Sequence, residues 1–312
     1  LHSSSDRPAW KTLLAFSIIY FAWGSTFLAI RIGVQEVPPL IFAAMRFLAA
    51  GAALLAWTMM RREQLPKERE WASVSLLAFL IFVVDYGFLF WAEQHVPSGP
   101  AAVMMATIPA FIALAEIIFL RTQRLTFRLA AALLIGIAGV AALTSHTLSL
   151  GGAPIDRLGA LGLIAGSISW SVASVLTRKL LLPQSKSVSS GAQMLVGGVM
   201  LTAAAGLLGE FPRFHPASLS LAAWIALAYL TVIGSIVGFT AYVWLIHHES
   251  PTKVGTYAYV NPVVAVLLGY LFAGEALGAR TVVGTAFVLV SVVLITTSRS
   301  GKTPPSAVEE SA

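Results

Sequence analysis

The chain has no cysteine among its 312 residues, which excludes disulfides, thiolate metal sites and cysteine nucleophiles. It is also short of charge, with 11% Asp, Glu, Lys and Arg where a soluble domain carries about 25%. That shortage argues more strongly than the 57% hydrophobic content, because a water-facing surface needs those charges. No Walker sequence occurs and there is no room for a nucleotide domain, so an ATP-driven pump would need a partner to supply one. His247, His248 and Glu249 are consecutive rather than spaced along one helical face, and there is no HExxH, so no metal and no cofactor are expected. The net charge of +6 reads as basic cytoplasmic loops, not as a nucleic-acid surface. What remains is a bilayer protein.

A spanning helix needs about 20 mostly apolar residues. Ten stretches qualify: roughly 10–33, 39–60, 72–92, 98–120, 128–146, 158–177, 188–208, 220–246, 252–273 and 281–298. Short polar segments such as "RREQLPKERE" (61–70) and "RTQRLTFR" (121–128) separate them, so neighbouring helices are antiparallel. The opening "LHSSSDRPAWK" is not read as a signal peptide, because a full spanning run follows it without a clear small-residue cleavage site. With the N-terminus in the cytoplasm, inside segments hold fifteen Lys and Arg, among them Arg61, Arg62, Lys67, Arg121, Arg124, Arg178 and Lys179. The outside ends hold four: Arg31, Arg157, Arg213 and Arg280. This bias predicts cytoplasmic N- and C-termini and supports an even helix count.

Two halves match weakly. Trp23, Arg31 and Gly51 align with Trp170, Arg178 and Gly198 at an offset of 147. Trp71, Trp91, His95 and Pro109 align with Trp224, Trp244, His248 and Pro262 at an offset of 153. A five-helix repeat is odd, so its copies face opposite ways. The expected fold is all-α and integral to the membrane: ten transmembrane helices as two inverted five-helix repeats, 10–146 and 158–298, with a cytoplasmic tail at 299–312. In that arrangement the substrate site lies near the midplane. Helices one, three, four, six, eight and nine are expected to line it.

The polar residues inside these helices are the candidates. Arg46 and Asp85 each lie seven residues from an outer helix end, about 10 Å deep at 1.5 Å per residue. A lone charge there costs about 2.5–3.5 kcal/mol on insertion scales. Either the two form an ion pair that fixes packing, or they face a wet cavity where Arg46 attracts an anion and Asp85 carries a proton. Glu116 is expected to snorkel or to pair with Arg121. Ser25 and Thr26 follow Trp23 in "WGST" and can bond a ligand or the helix backbone. "TYAYVNP" (256–262) makes the ninth helix the more polar counterpart of 104–109, with Tyr257, Tyr259 and Asn261. Pro109 and Pro262 are aligned kink points. Gly162 with Gly166, and Gly234 with Gly238, have the spacing of close helix packing.

"FAWGSTFLAIRIG", "PPLIFAAMRFLAAGAALL", "EQHVPSGPAAVMMATIPAF" and "TYAYVNPVVAVLLGYLFAGEAL", in that order, resemble the EamA family of the drug/metabolite transporter superfamily. The resemblance covers about 10–298. It implies ten helices in two repeats, cytoplasmic termini, and a carrier that exports amino acids, related metabolites or drugs by alternating access. It also carries weight for Trp23, Arg46, Tyr257, Tyr259, Asn261 and Pro262. The first half departs from the family's "GE" between its last two helices and reads "RTQRLT"; the second half keeps Gly274 and Glu275.

The resulting expectation is a monomeric secondary transporter of the inner (plasma) membrane that exports small organic solutes, with proton coupling left open. Its substrate site is expected to hold Trp23, Asp85, Tyr86, Trp170, Tyr257, Tyr259 and Asn261. Arg46, Ser25, Thr26, Pro109 and Pro262 are expected at a gate or behind the site. A channel without ion coupling is the alternative, though it usually needs rings of like charge. An enzyme is not expected, because Asp85 has no partner aspartate and no Ser/His pair sits at depth.

Overall fold

A computed structural model describes residues 9–120, 126–144, 155–248 and 257–298, and these are helical throughout apart from short connections. In chain order, α1 is Ala9–Gly33 and α2 is Pro39–Met60. Trp71–Ala78, Phe79–Tyr86 and Gly87–Ala92 run on as α3, whose middle piece has π-helical turns. Ser98–Met105, Ile108–Ala115 and Glu116–Leu120 make up α4. Then come α5 (Phe127–Thr144), α6 (Arg157–Leu176) and α7 (Lys186–Leu207). Leu221–Tyr229, the π-helical Leu230–Val237 and Gly238–His248 form α8, followed by α9 (Tyr257–Ala273) and α10 (Ala279–Ser298).

Among the described residues, seven helices are long and apolar enough to cross a bilayer: α1 to α4 and α6 to α8. The apolar parts of α5, α9 and α10, such as Val260–Ala273, are shorter. Large apolar side chains such as Phe21, Met60, Leu134, Leu158 and Phe272 are exposed on the outside of the bundle, as a lipid-facing surface requires.

The packing is reciprocal between halves. α1 lies on α8 and α9, and its counterpart α6 lies on α3 and α4. α2 pairs with α7, α5 with α10 and α4 with α9, so exchanging the halves maps these contacts of α1 onto those of α6 and each of the three pairs onto itself. Two seams show why glycine is needed where related helices cross. A Cβ on Gly51 would come 2.6 Å from the backbone nitrogen of Leu195, and one on Gly198 would come 2.9 Å from that of Leu48. Leu195 and Leu48 stand three residues before the opposite glycine, as a two-fold relation demands. Gly139 and Gly284 do the same for α5 and α10, each Cβ position falling 3.0–3.1 Å from the other's carbonyl oxygen.

One face of the bundle is tied together by carboxylates. The first N–H groups of a helix have no partner within it. α2 and α4 begin at Pro38 and Pro97, which offer no side-chain acceptor. The other half supplies one instead. Glu210, before α8, accepts from the N–H groups of Leu40 and Ile41, both at 3.0 Å. Glu275, between α9 and α10, accepts from the N–H of Ser98 at 2.6 Å, its hydroxyl at 2.7 Å and the N–H of Gly99 at 3.0 Å. In the reverse direction Glu36, after α1, accepts from the N–H and hydroxyl of Ser220, the residue that caps α8. An anion at a helix N-terminus also meets the positive end of the helix dipole.

Glu116 is tied across the bundle. Arg121 lies outside the described residues, and Glu116 forms a 3.0 Å ion pair with Arg178 at the end of α6. Antiparallel packing of α4 on α6 brings the two together, which no local spacing could reveal.

Candidate functional site

A cavity of about 260 Å³ lies within the bundle, bordered by residues of α1, α2, α3, α4, α6 and α9. Trp23, Thr26 and Phe27 come from α1; Asp85, Tyr86 and Leu89 from α3; Trp170 from α6. α4 gives an apolar wall that includes Ala102, Met105 and Ile112, and α9 gives Tyr257, Ala258 and Asn261. Pro109 and Pro262 also border it. A proline cannot donate to the carbonyl four residues earlier; here those residues are Met105 and Ala258, and both border the cavity. Pro109 breaks α4, which resumes at Ile108, whereas Pro262 sits inside an unbroken α9.

Two expectations need correction. Arg46 borders the cavity itself rather than standing behind it. Among the described residues none of α8 borders it, and α8 backs the wall instead. Ser25, expected at a gate or behind the site, points away from the cavity, its hydroxyl bonded to the carbonyl of Phe21 and to the Tyr229 hydroxyl at 2.6 Å, because adjacent helical positions point about 100° apart. The side chain of Tyr259 lies outside the described residues.

Arg46 and Asp85 do not form an ion pair. Arg46 is 2% exposed, and its Nε donates to the hydroxyl of Ser235 at 3.0 Å. Its guanidinium carbon lies 4.9 Å from the Phe47 ring centre and 5.2 Å from that of Tyr86, so aromatic faces supply part of its solvation. Its Nη1 has no hydrogen-bond partner. Asp85 is likewise 2% exposed, with Oδ1 unpartnered. A Cβ on Gly166 would come 3.0 Å from that oxygen, so the bare glycine of α6 makes the room Asp85 occupies. Oδ1 of Asn261 is also unpartnered. Buried polar atoms are nearly always bonded, so three open ones around a single cavity mark places for a ligand or water.

The π-helical turns of α8 place two of these side chains. Trp23 Nε1–H donates to the carbonyl of Gly234 at 3.2 Å, and Ser235 bonds Arg46 while donating to the carbonyl of Leu230. A Cβ on Gly234 would meet Thr26 at 2.8 Å and Arg46 at 3.3 Å, and one on Gly238 would meet Trp23 at 2.8 Å. The Gly234–Gly238 spacing flagged this surface as packing, but nothing in it named Arg46 and Trp23 as the cargo. On the other side Ser169, beside Trp170, donates to the carbonyl of Leu80 within the π-helical turns of α3. Such turns recur at functional sites. Trp23 meets Tyr242 and Tyr257 with ring centres 5.1 Å apart in each case, and Trp170 meets Tyr86 at 6.2 Å.

Comparison with known proteins bears on what such a site serves. Residues 10–145 and 157–297 each match the EamA-like transporter family. The chain is 39% identical over 284 residues to a protein of Escherichia coli (strain K12) named "Uncharacterized inner membrane transporter YedA", covering 90% of this chain and 89% of that one. It is 25% identical over 290 residues to an "Uncharacterized transporter" of Archaeoglobus fulgidus, covering 92% and 97%. A solved crystal structure shares the fold at a TM-score of 0.63 and 23% identity, covering 92% of this chain and 98% of that one.

Proposed function

Because the chain belongs to the EamA-like transporter family, and is with that a multi-pass membrane transporter, we propose that it exports small zwitterionic metabolites, amino acids with apolar side chains above all, across the plasma membrane. The observation that carries this reading is the pair of unpaired opposite charges on one aromatic cavity. Burying a charge without a partner is costly. A zwitterion answers both at once, its carboxylate on Arg46 Nη1 and its ammonium on Asp85 Oδ1. Trp23, Trp170 and Tyr257 then cover its apolar part. The cavity of about 260 Å³ falls below the roughly 300–1,000 Å³ typical of sites for drug-sized ligands, which favours a metabolite.

Ten spans in two inverted repeats give alternating access by rocking one half against the other. The break in α4 and the π-helical turns of α3 and α8 are the places where these helices can bend beside the site. The Lys and Arg bias puts both termini in the cytoplasm and the carboxylate-capped face outside.

The test is counterflow in proteoliposomes loaded with leucine, with leucinamide and 4-methylpentanoate as competitors. Leucine should compete and the two analogues, each lacking one charge, should not. Arg46→Gln should erase the preference for leucine over leucinamide. If leucinamide competes as well as leucine in the unaltered protein, the carboxylate assignment fails. Fast, unsaturable flux would instead favour a channel.

A further inference from the structure

Glu93 is the first residue beyond the Glu68–Ala92 span, on the carboxylate-capped face. It does not border the cavity, yet its exposure is 0% and neither carboxylate oxygen has a hydrogen-bond partner. Its charged neighbours come from three elements: Glu275 between α9 and α10, Arg31 on α1 and Arg46 on α2. Arg31 donates to Glu93's own main-chain carbonyl and not to its carboxyl. Glu275 meanwhile spends both its oxygens on the start of α4, at Ser98 and Gly99. An ionised carboxylate buried without a hydrogen bond is strongly disfavoured, and such a group neutralises instead.

From this arrangement, and resting on the transport reading above, we infer that Glu93 is a proton-binding site that couples proton uptake and release to closing and opening of the capped face. In the capped arrangement described here the carboxyl keeps its proton and tolerates Glu275 beside it. When the proton leaves to water, the new carboxylate draws the Arg31 guanidinium off the Glu93 carbonyl and repels Glu275. The cap on Ser98 and Gly99 then weakens, and α4, already broken at Pro109, is free to swing at its outer end. Reprotonation restores the cap. Proton and solute thus occupy separate places, with Asp85 left to meet the solute's ammonium.

The absence of cysteine allows a clean test. Ala102, on α4 and bordering the cavity, is changed to cysteine, and its labelling by a membrane-impermeant maleimide from the outer face is followed against pH, corrected for thiolate content with a free thiol. Labelling should rise several-fold with pH in the otherwise unaltered protein. It should stay low and flat with Glu93→Gln, and keep its rise with a shifted midpoint with Glu93→Asp. In parallel, Glu93→Gln should remove part of the infrared carbonyl band of protonated carboxylic acids, and Asp85→Asn should leave that part in place. A pH response unchanged by Glu93→Gln, or an unchanged band, overturns the inference. Should Glu93→Gln fail to fold, an unmoved midpoint in Glu93→Asp overturns it equally. Neither readout needs a transported solute, so a positive result alongside absent flux would refute the transport reading and leave the proton site standing.

Discussion

The two halves share a scaffold but divide the chemistry between them crosswise. In the third helix of the first half, the π-helical turns give side chains to the cavity, Asp85 and Tyr86. In its counterpart α8 the same kind of turn gives nothing to the cavity and braces it from behind, through the Gly234 carbonyl and Ser235. For the fourth helix of each half the polarity is reversed. α4 is an apolar wall, whereas α9 brings Tyr257 and Asn261. Duplication thus preserved the crossings, where backbone meets backbone, and left each wall position free to specialise. A packing position between two helices constrains both partners, but a cavity position answers only to what fills the cavity.

Breaking the shared scaffold should have the largest effect. Gly51→Val and Gly198→Val each force a branched side chain against the opposite backbone. Overpacking of this kind costs about 1–3 kcal/mol in soluble cores, and here no flexible side chain can yield. Both variants should lose monodisperse folded protein in detergent, by size-exclusion chromatography, to a similar degree. A harmless Gly198→Val beside a ruinous Gly51→Val would mean that the reciprocity of the seam is only geometric.

Next comes the chemistry that differs between halves. Asp85→Asn keeps the shape but removes the charge proposed to meet the ammonium. Hydrogen bonds to charged groups are worth about 1.5–3 kcal/mol, so leucine binding by calorimetry should weaken by roughly tenfold or more. Ser235→Ala, the bracing residue of the other half, should weaken it less, because Arg46 keeps its charge and loses only its anchor. Equal losses would erase the distinction between a contacting and a bracing half.

A smaller difference should separate the two tryptophans. Trp23→Phe loses the 3.2 Å bond to Gly234, worth about 0.5–1.5 kcal/mol, in addition to ring area. Trp170→Phe loses ring area against Tyr86. Thermal unfolding should drop further for the first.

The smallest effect is on the capped face. Hydrogen bonds from the Ser220 hydroxyl and then its N–H hold the Glu36 carboxyl below the usual glutamate range. A carboxyl lowered in the folded state contributes stability above its unfolded value and loses it as pH falls through the folded one. Glu36 is fully exposed, so Glu36→Gln should lower the melting temperature only slightly at neutral pH. The two melting curves should converge as the pH falls below the usual glutamate range. A gap that persists in acid would show that the cap does not depend on the charge.

Much of this was legible before any coordinates. Apolar length located the helices to within a few residues, and the rarity of charge singled out Arg46 and Asp85. Repeat alignment singled out Trp23 with Trp170, and Pro109 with Pro262. What could not be read was which way neighbours turn. Arg46 and Asp85 suggested a pair by depth, yet Arg46 turned to Ser235 and to two aromatic rings. Ser25 and Thr26 are adjacent in sequence, but only Thr26 reaches the cavity. Glu93 drew no notice, since a glutamate at a helix end is ordinarily solvated.

The sequence by itself determined the solvent of this protein and the places where its chain turns, because each spanning run must satisfy its backbone internally and each loop must carry the charge that lipid refuses. Only the tertiary structure decided which buried polar atoms are answered and which stay open. That choice depends on how helices from two halves are rotated against each other, and rotation is set by interlocking contacts such as Gly51 on Leu195 that no single segment encodes.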